Sequence, residues 1–177
     1  MELVKGSKVK SKTQDMVLSA LLISFVFIAT KFINVRLPIS INGGLIHLGN
    51  VMLFASAIVF GARKGAVAGA FGMGIFDVVS GWGAWAPFTF IIRGVMGYII
   101  GYVANSNDRK GNRIGWNLIG IVIAGVWMIA GYYVAEIIIT GNYIAPVTSI
   151  PGNLIQLVFG AIIGLPLAKA LKKTKIF

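Results

Sequence analysis

The sequence predicts an all-α polytopic membrane protein of six transmembrane helices with both termini cytoplasmic, and three observations carry that prediction. Hydrophobic residues make up 57% of the chain and charged residues 12%, about half the charge of a soluble domain. Thirteen of the sixteen Lys and Arg residues fall in the tails and in every second gap between long apolar stretches: Lys5, Lys8, Lys10 and Lys12; Arg63 and Lys64; Arg109, Lys110 and Arg113; Lys169, Lys172, Lys173 and Lys175. The intervening gaps, near residues 34–45, 80–86 and 141–151, hold one basic residue, Arg36. Short loops rich in Lys and Arg stay on the cytoplasmic side, so the spans are even in number and both ends are inside. Six spans of roughly 20 residues each consume about two thirds of the chain. Residues 1–177 therefore read as one membrane domain with short cytoplasmic tails, 1–13 and 172–177.

Each span follows from local signals. Span 1, about 16–32, starts at Asp15 or Thr13 as cap and reads as a retained helix, because no small-residue cleavage site precedes Lys31. Pro38 and the Asn42-Gly43-Gly44 turn then reverse the chain. Span 2, about 45–60, is short, and Gly61 to Lys64 make a tight turn. Span 3, 65–79, carries Gly65, Ala68, Gly69 and Gly72 on one face. Such small-residue spacing lets backbones approach closely where lipid supplies no hydrophobic drive, so span 3 is expected at the packed centre. The turn Ser80 to Pro87 leads into span 4, 87–104, with Gly94, Gly97 and Gly101. Asn105 to Asn112 form the longest basic loop. Span 5 covers 114–140, long enough to tilt. An outer loop, 141–151, precedes span 6, 152–171, where Gly160 and Gly164 form a second close-packing pair. Spans 3 and 4 share glycine richness, but the two halves do not align as an inverted repeat.

Several function classes are poorly served by these residues. The net charge of +11 is accounted for by topology and anionic lipid, and no basic patch is interleaved with aromatics as nucleic-acid binding needs. Cysteine is absent, which removes disulfides, thiolate catalysis and Cys-based metal sites. Gly61-Ala62-Arg63-Lys64-Gly65 lacks the spacing and following Ser or Thr of a phosphate-cradling loop. The single His has no Ser or Cys partner at a recognisable spacing, so no enzyme is predicted. No cofactor is predicted, and a metal site from His47 with Asp77 or Glu136 is only weakly signalled.

Ionisable groups inside spans are expensive and usually face a cavity or a partner. Here they are His47, Asp77, Arg93, Glu136 and Lys31. Helical rise puts all five in the outer half, the depth agreement a single outward-facing polar pocket gives. Plainer readings stand beside this one. Lys31 and Arg36 can snorkel to headgroups, Asp77 and Arg93 can form a structural ion pair joining spans 3 and 4, and His47 can simply sit at a helix start. Trp82 and Trp85 suit either an interface belt or a lid that stacks on a flat ring. Asn153 and Gln156, at i and i+3, suit either a grip on a polar heterocycle or a helix start.

Residues 43–104 carry a resemblance. A polar turn with Gly49-Asn50, a G-x-x-x-G turn from Gly61 to Gly65, a glycine-rich third span ending in Asp77 and Ser80-Gly81, and a Pro-led fourth span with Arg93-Gly94 follow in that order. This stretch resembles the substrate-binding S components of energy-coupling factor (ECF) vitamin transporters. It is most similar to the riboflavin-type branch, which includes members assigned to hydroxymethylpyrimidine and to vitamin B6.

The resemblance implies a multi-pass protein of the bacterial cytoplasmic membrane that captures a small vitamin from outside. It implies docking on a membrane coupling subunit with two cytoplasmic ATPases, and delivery of substrate by toppling in the bilayer. Family members dock through an Ala-x-x-x-Ala pattern in the first span, matched here by Ala20 to Ser24 with Ser24 replacing the second Ala. The expected substrate-binding residues are His47, Asn50, Asp77, Trp82, Trp85, Arg93, Glu136, Asn153 and Gln156. A neutral pyridine or pyrimidine vitamin is favoured over pantothenate or folate, with riboflavin as rival. A stand-alone secondary carrier and a lipid-modifying membrane enzyme are the other readings.

Overall fold

The computed structural model describes residues 11–32, 34–36 and 45–174. Its elements are α1 (Lys12–Phe32), β1 (Asn34–Arg36), β2 (Leu45–His47), α2 (Gly49–Phe60), α3 (Ala62–Val79), α4 (Ala86–Asn105), α5 (Ile114–Thr140) and α6 (Ala145–Lys173). Six helices form as expected. The Pro38 and Asn42-Gly43-Gly44 turn, the Arg36 side chain and the tail lysines Lys5, Lys8, Lys10 and Lys175 lie outside the described residues.

Four helices, α1, α4, α5 and α6, are long and apolar enough to cross a membrane. The 12-residue α2 rises only about 18 Å at 1.5 Å per residue, well short of a hydrocarbon core of about 30 Å. The 18 residues of α3 include Arg63, Lys64 and Asp77. These two inner helices make up the centre. Nine residues of α2 are buried, among them Leu53, Phe54 and Ile58, whereas α3 leaves Phe71, Ile75, Val78 and Val79 exposed. The most enclosed element is thus α2, where the sequence pointed to span 3.

Glycine sets the spacing of the inner helices. A Cβ on Gly69 would lie 2.6 Å from the Arg93 carbonyl oxygen, and one on Gly65 2.7 Å from that of Gly97, so α3 and α4 touch backbone to backbone. On α6, a Cβ at Gly160 would meet Asn50 Cβ at 2.7 Å, and one at Gly164 would meet Phe54 Cβ at 3.2 Å. That is the second close-packing pair read from the sequence. The α2–α3 turn shrinks to one residue, Gly61, at φ +87°, a conformation glycine alone adopts without penalty.

Four boundaries differ from expectation. Leu45–His47 pairs antiparallel with Asn34–Arg36 and does not open span 2 as helix; the hairpin pairing satisfies backbone groups that the bilayer would leave without partners. Helix α6 begins at Ala145, so the outer loop is only Gly141–Ile144. Pro146 sits in its first turn, where its missing N–H is harmless, and Asn142 Oδ1 accepts from the N–H groups of Ile144 at 2.7 Å and Ala145 at 3.2 Å. Pro151 lies inside the helix, as membrane helices tolerate. Finally, α1 and α6 extend through residues 12–13 and 172–173, which the sequence placed in tails.

The helix ends fall into two groups. The starts of α1 and α3 and the ends of α2, α4 and α6 surround one cleft, the basic end. The end of α1, β2, the end of α3, the starts of α4 and α6 and the end of α5 surround a cavity, the ribbon end.

Candidate functional site

The cavity at the ribbon end has a volume of about 120 Å³. Its walls are helical stripes at i, i+3 or i+4 spacing. Met73, Phe76 and Asp77 come from α3, Thr89 and Arg93 from α4, Tyr132 and Glu136 from α5, and Ser149, Gly152, Asn153 and Gln156 from α6. Thr30, His47 and the two tryptophans of the α3–α4 turn complete it. The early start of α6 brings Ser149 onto the same face as Asn153 and Gln156.

Arg93 forms the floor. It is 3% exposed, and a buried guanidinium needs its donors satisfied. Nη1 donates to Asn50 Oδ1 at 2.7 Å, Nη2 to Gln156 Oε1 at 2.7 Å and Nε to the Tyr132 hydroxyl at 3.1 Å. Met128 Sδ lies 2.9 Å from Nη1, and the guanidinium carbon sits 5.1 Å from the Tyr132 ring centroid, within cation–π range. These acceptors are neutral. Charge-assisted hydrogen bonds of this length are about twice as strong as neutral ones, and together with the Asp77 carboxylate across the cavity they offset the cost of burying the charge. Asp77 and Arg93 make no direct salt bridge of the kind the sequence allowed, such as the 2.7 Å contact between Lys64 and Asp15 at the basic end, although the two charges act on each other across the cavity. Asp77 instead faces the Thr89 hydroxyl, which also receives the Tyr132 O–H at 3.1 Å.

His47 ends the ribbon. Its Nδ1 accepts from the Gly49 N–H at 3.1 Å, which assigns the ring proton to Nε2 and leaves that nitrogen a donor. Its ring is tilted against Phe76 at 6.4 Å. The tryptophan turn is closed by Trp82 N–H to Asp77 O at 2.8 Å and Trp85 N–H to Trp82 O at 2.8 Å. Both indoles are half-buried against the cavity, and Trp85 packs toward Tyr132 at 6.3 Å.

Of the nine residues selected from sequence, eight line the cavity: His47, Asp77, Trp82, Trp85, Arg93, Glu136, Asn153 and Gln156. Asn50 lies behind it, fully buried. There it accepts from Arg93 and donates to Gln156 Oε1 at 3.3 Å, so it positions the floor without lining the space. Thr30, Met73, Phe76, Thr89, Tyr132 and Ser149 were missed. Two of them had a signal, since Thr89 precedes Arg93 by four residues and Tyr132 precedes Glu136 by four. Among the described residues no group of three or more metal-ligating side chains comes together.

A family model described as "ECF-type riboflavin transporter, S component" matches residues 10–173. The chain belongs to this family of ECF S components. A full-length likeness points the same way: the S component is 22% identical over 176 residues, 99% of its length and 96% of the relative's, to the "Thiamine precursor transporter HmpT" of Lactococcus lactis subsp. cremoris (strain MG1363). It is 35% identical over 139 residues to a Pyrococcus woesei protein described as "Uncharacterized protein in gap 3'region", covering 78% of this chain and 90% of that one. Family and named relative are transporters, not enzymes. On α1 of the S component, Ala20 and Ser24 are exposed on one face beside Leu21 and Phe25, and Ser24 Oγ donates to the Ala20 carbonyl at 2.8 Å. The helix buries its opposite side, Leu22, Val26 and Thr30.

Proposed function

We propose that this chain is the vitamin-capturing subunit of an ECF-type importer of the bacterial cytoplasmic membrane, and that its substrate is a single-ring heterocycle of the hydroxymethylpyrimidine type. The observation that carries the reading is the polar floor of Arg93, Gln156 and Tyr132 set beneath aromatic walls. Of the five N–H donors of an arginine, the contacts to Asn50, Gln156, Tyr132 and the thioethers account for four. The remaining Nη2 hydrogen and His47 Nε2–H are donors for ring nitrogens. The carboxylates of Asp77 and Glu136 accept from an exocyclic amine or a hydroxymethyl group, and Asn153 can do either. Trp85 and Trp82 stack on the ring face. The size agrees: about 120 Å³ is roughly ten times the space one water requires, on the scale of one substituted ring and smaller than a flavin. The name of the Lactococcus relative supports a thiamine precursor, whereas the family description favours riboflavin as the second reading.

In this proposal the alternation of basic gaps keeps both termini inside, so the cavity opens outward. The whole of 1–177 acts as one domain in the bilayer. Ala20 and Ser24 meet the coupling subunit, and two ATPases supply the energy. Release of small molecules from gently purified protein, analysed by mass spectrometry, tests the reading. Titration of the released compound against tryptophan fluorescence then follows. One equivalent of a pyrimidine supports it; a flavin supports the second reading. An empty protein that ignores pyrimidines, pyridines and flavins, yet moves solute in proteoliposomes on a proton gradient alone, would make it a stand-alone carrier.

A further inference from the structure

The basic end holds a second, larger cleft of about 540 Å³ that the vitamin-binding reading does not use. It lies where α2 ends at Phe60, bordered by the start of α1, the start of α3, the end of α6 and the loop after α4. Its lining is divided. Leu18, Val59, Phe60 and Leu171 are apolar, and Lys64, Lys110 and Lys172 are basic. Asp15 is the carboxylate of the cleft, and it is held by Lys64 at 2.7 Å. Lys64 also donates to Ser19 Oγ at 2.6 Å, so its donors are engaged. Lys110 and Lys172 thus face no acid among the residues lining the cleft.

A plainer use for these lysines is to cap the carbonyls at the C-terminal end of α2. Two of those carbonyls, Ala57 and Ile58, already have partners. Gly61 N–H donates to Ala57 O at 3.0 Å, and Asn105 Nδ2 reaches Ala57 O at 3.4 Å and Ile58 O at 3.3 Å. Lys172 has one neutral contact, Asn112 Oδ1 at 3.3 Å, and its remaining donors are available.

We infer that this cleft binds a phosphate group, held between Lys110 and Lys172, and that the group belongs to an anionic phospholipid whose chains leave over Leu18 and Leu171. The apolar wall is what favours a lipid over a soluble phosphate. The surface beyond it on α1 is apolar and exposed at Met16 and Val17. The positive-inside rule puts this end in the cytoplasmic leaflet, where anionic lipid is enriched.

The test is native mass spectrometry of the full chain in non-ionic detergent micelles doped with phosphatidylglycerol or phosphatidylcholine. Wild type is expected to retain phosphatidylglycerol over phosphatidylcholine. A Lys110→Gln, Lys172→Gln double variant is expected to retain roughly thirtyfold less, on the scale of two basic residues near an anionic surface. A Lys110→Arg, Lys172→Arg variant should behave as wild type, as should Lys169→Gln, Lys173→Gln, which removes the same charge from exposed positions outside the cleft. Where the double glutamine variant fails to fold, Lys110→Gln alone, in an exposed loop, carries the comparison with about a fivefold loss. Equal losses from the cleft and control pairs would overturn the site, as would equal retention of the two lipids. Thermal protection by millimolar inorganic phosphate with none from phosphatidylglycerol would assign the lysines to a soluble phosphate and overturn the lipid.

Discussion

Arg93 Nη2 donates to Gln156 Oε1 at 2.7 Å, joining α4 to α6 across 63 positions of sequence. Asn50 closes the triangle from α2, accepting from Nη1 at 2.7 Å and donating to the same Gln156 oxygen at 3.3 Å. Three helices are thereby tied at one buried point, and Asn50 does this without lining the cavity. Asn50→Ala removes a hydrogen bond to a buried charge, a loss of about 2 kcal/mol. The expected result is a lower thermal midpoint in detergent together with weaker vitamin binding. An unchanged midpoint would show that Arg93 is satisfied without Asn50.

The floor also depends on how closely α3 approaches α4. Gly69 faces the Arg93 carbonyl, and a Cβ there would lie 2.6 Å from it, so Gly69→Val forces the helices apart. Overpacking of this kind typically costs about 1–3 kcal/mol, and here it also displaces the guanidinium. Both thermal stability and affinity should fall. Gly83→Ala, in the tryptophan turn with nothing within 4 Å of its Cβ, should leave stability unchanged, and comparing the two variants separates close packing from glycine content.

What the sequence made legible has a physical pattern. The six helices and their order follow from the alternation of basic gaps, because charge cannot be hidden in lipid. The facing glycines of α3 and of α6 follow from small-residue spacing. The Leu45–His47 ribbon did not emerge, since its two strands are only three residues long and Leu-Ile-His ahead of an apolar run reads equally well as helix. Pro146 and Pro151 fall in the stretch read as an outer loop, 141–151, yet one opens α6 and the other lies within it. Asn50 and Tyr132 could not be told apart by depth. Which of them lines the space and which braces it depends on helix rotation, and Arg93 contacts both.

Trp85 packs toward Tyr132 and lines the cavity, whereas Trp116 and Trp127 lie exposed on α5. Quenching of tryptophan fluorescence by substrate should therefore come from the turn between α3 and α4. Trp85→Phe should remove a large part of the quenching and weaken binding about three- to tenfold, the scale of a lost aromatic stacking contact. Trp127→Phe should alter neither, though its Nε1–H to Ile92 O bond at 3.1 Å predicts a small loss of stability. Quenching that survives Trp85→Phe intact would move the stacking role to Trp82.

Ala20 and Ser24 lie on the exposed side of α1, opposite Leu22 and Val26. A large charged side chain at Ala20 meets no part of this chain's core. It would keep a partner helix from the close approach that small residues permit. Ala20→Arg is therefore expected to abolish ATP-driven uptake in cells supplied with the coupling subunit and both ATPases, while vitamin affinity of the isolated protein stays within about twofold of wild type, since surface changes away from a site usually alter free energies by under about 0.5 kcal/mol. Ala20→Ser should retain uptake, because it keeps the side chain small. Loss of affinity together with uptake in the arginine variant would mean that α1 is coupled to the cavity through Thr30, which lines it from the far end of the same helix, and the docking face would then have to be sought elsewhere.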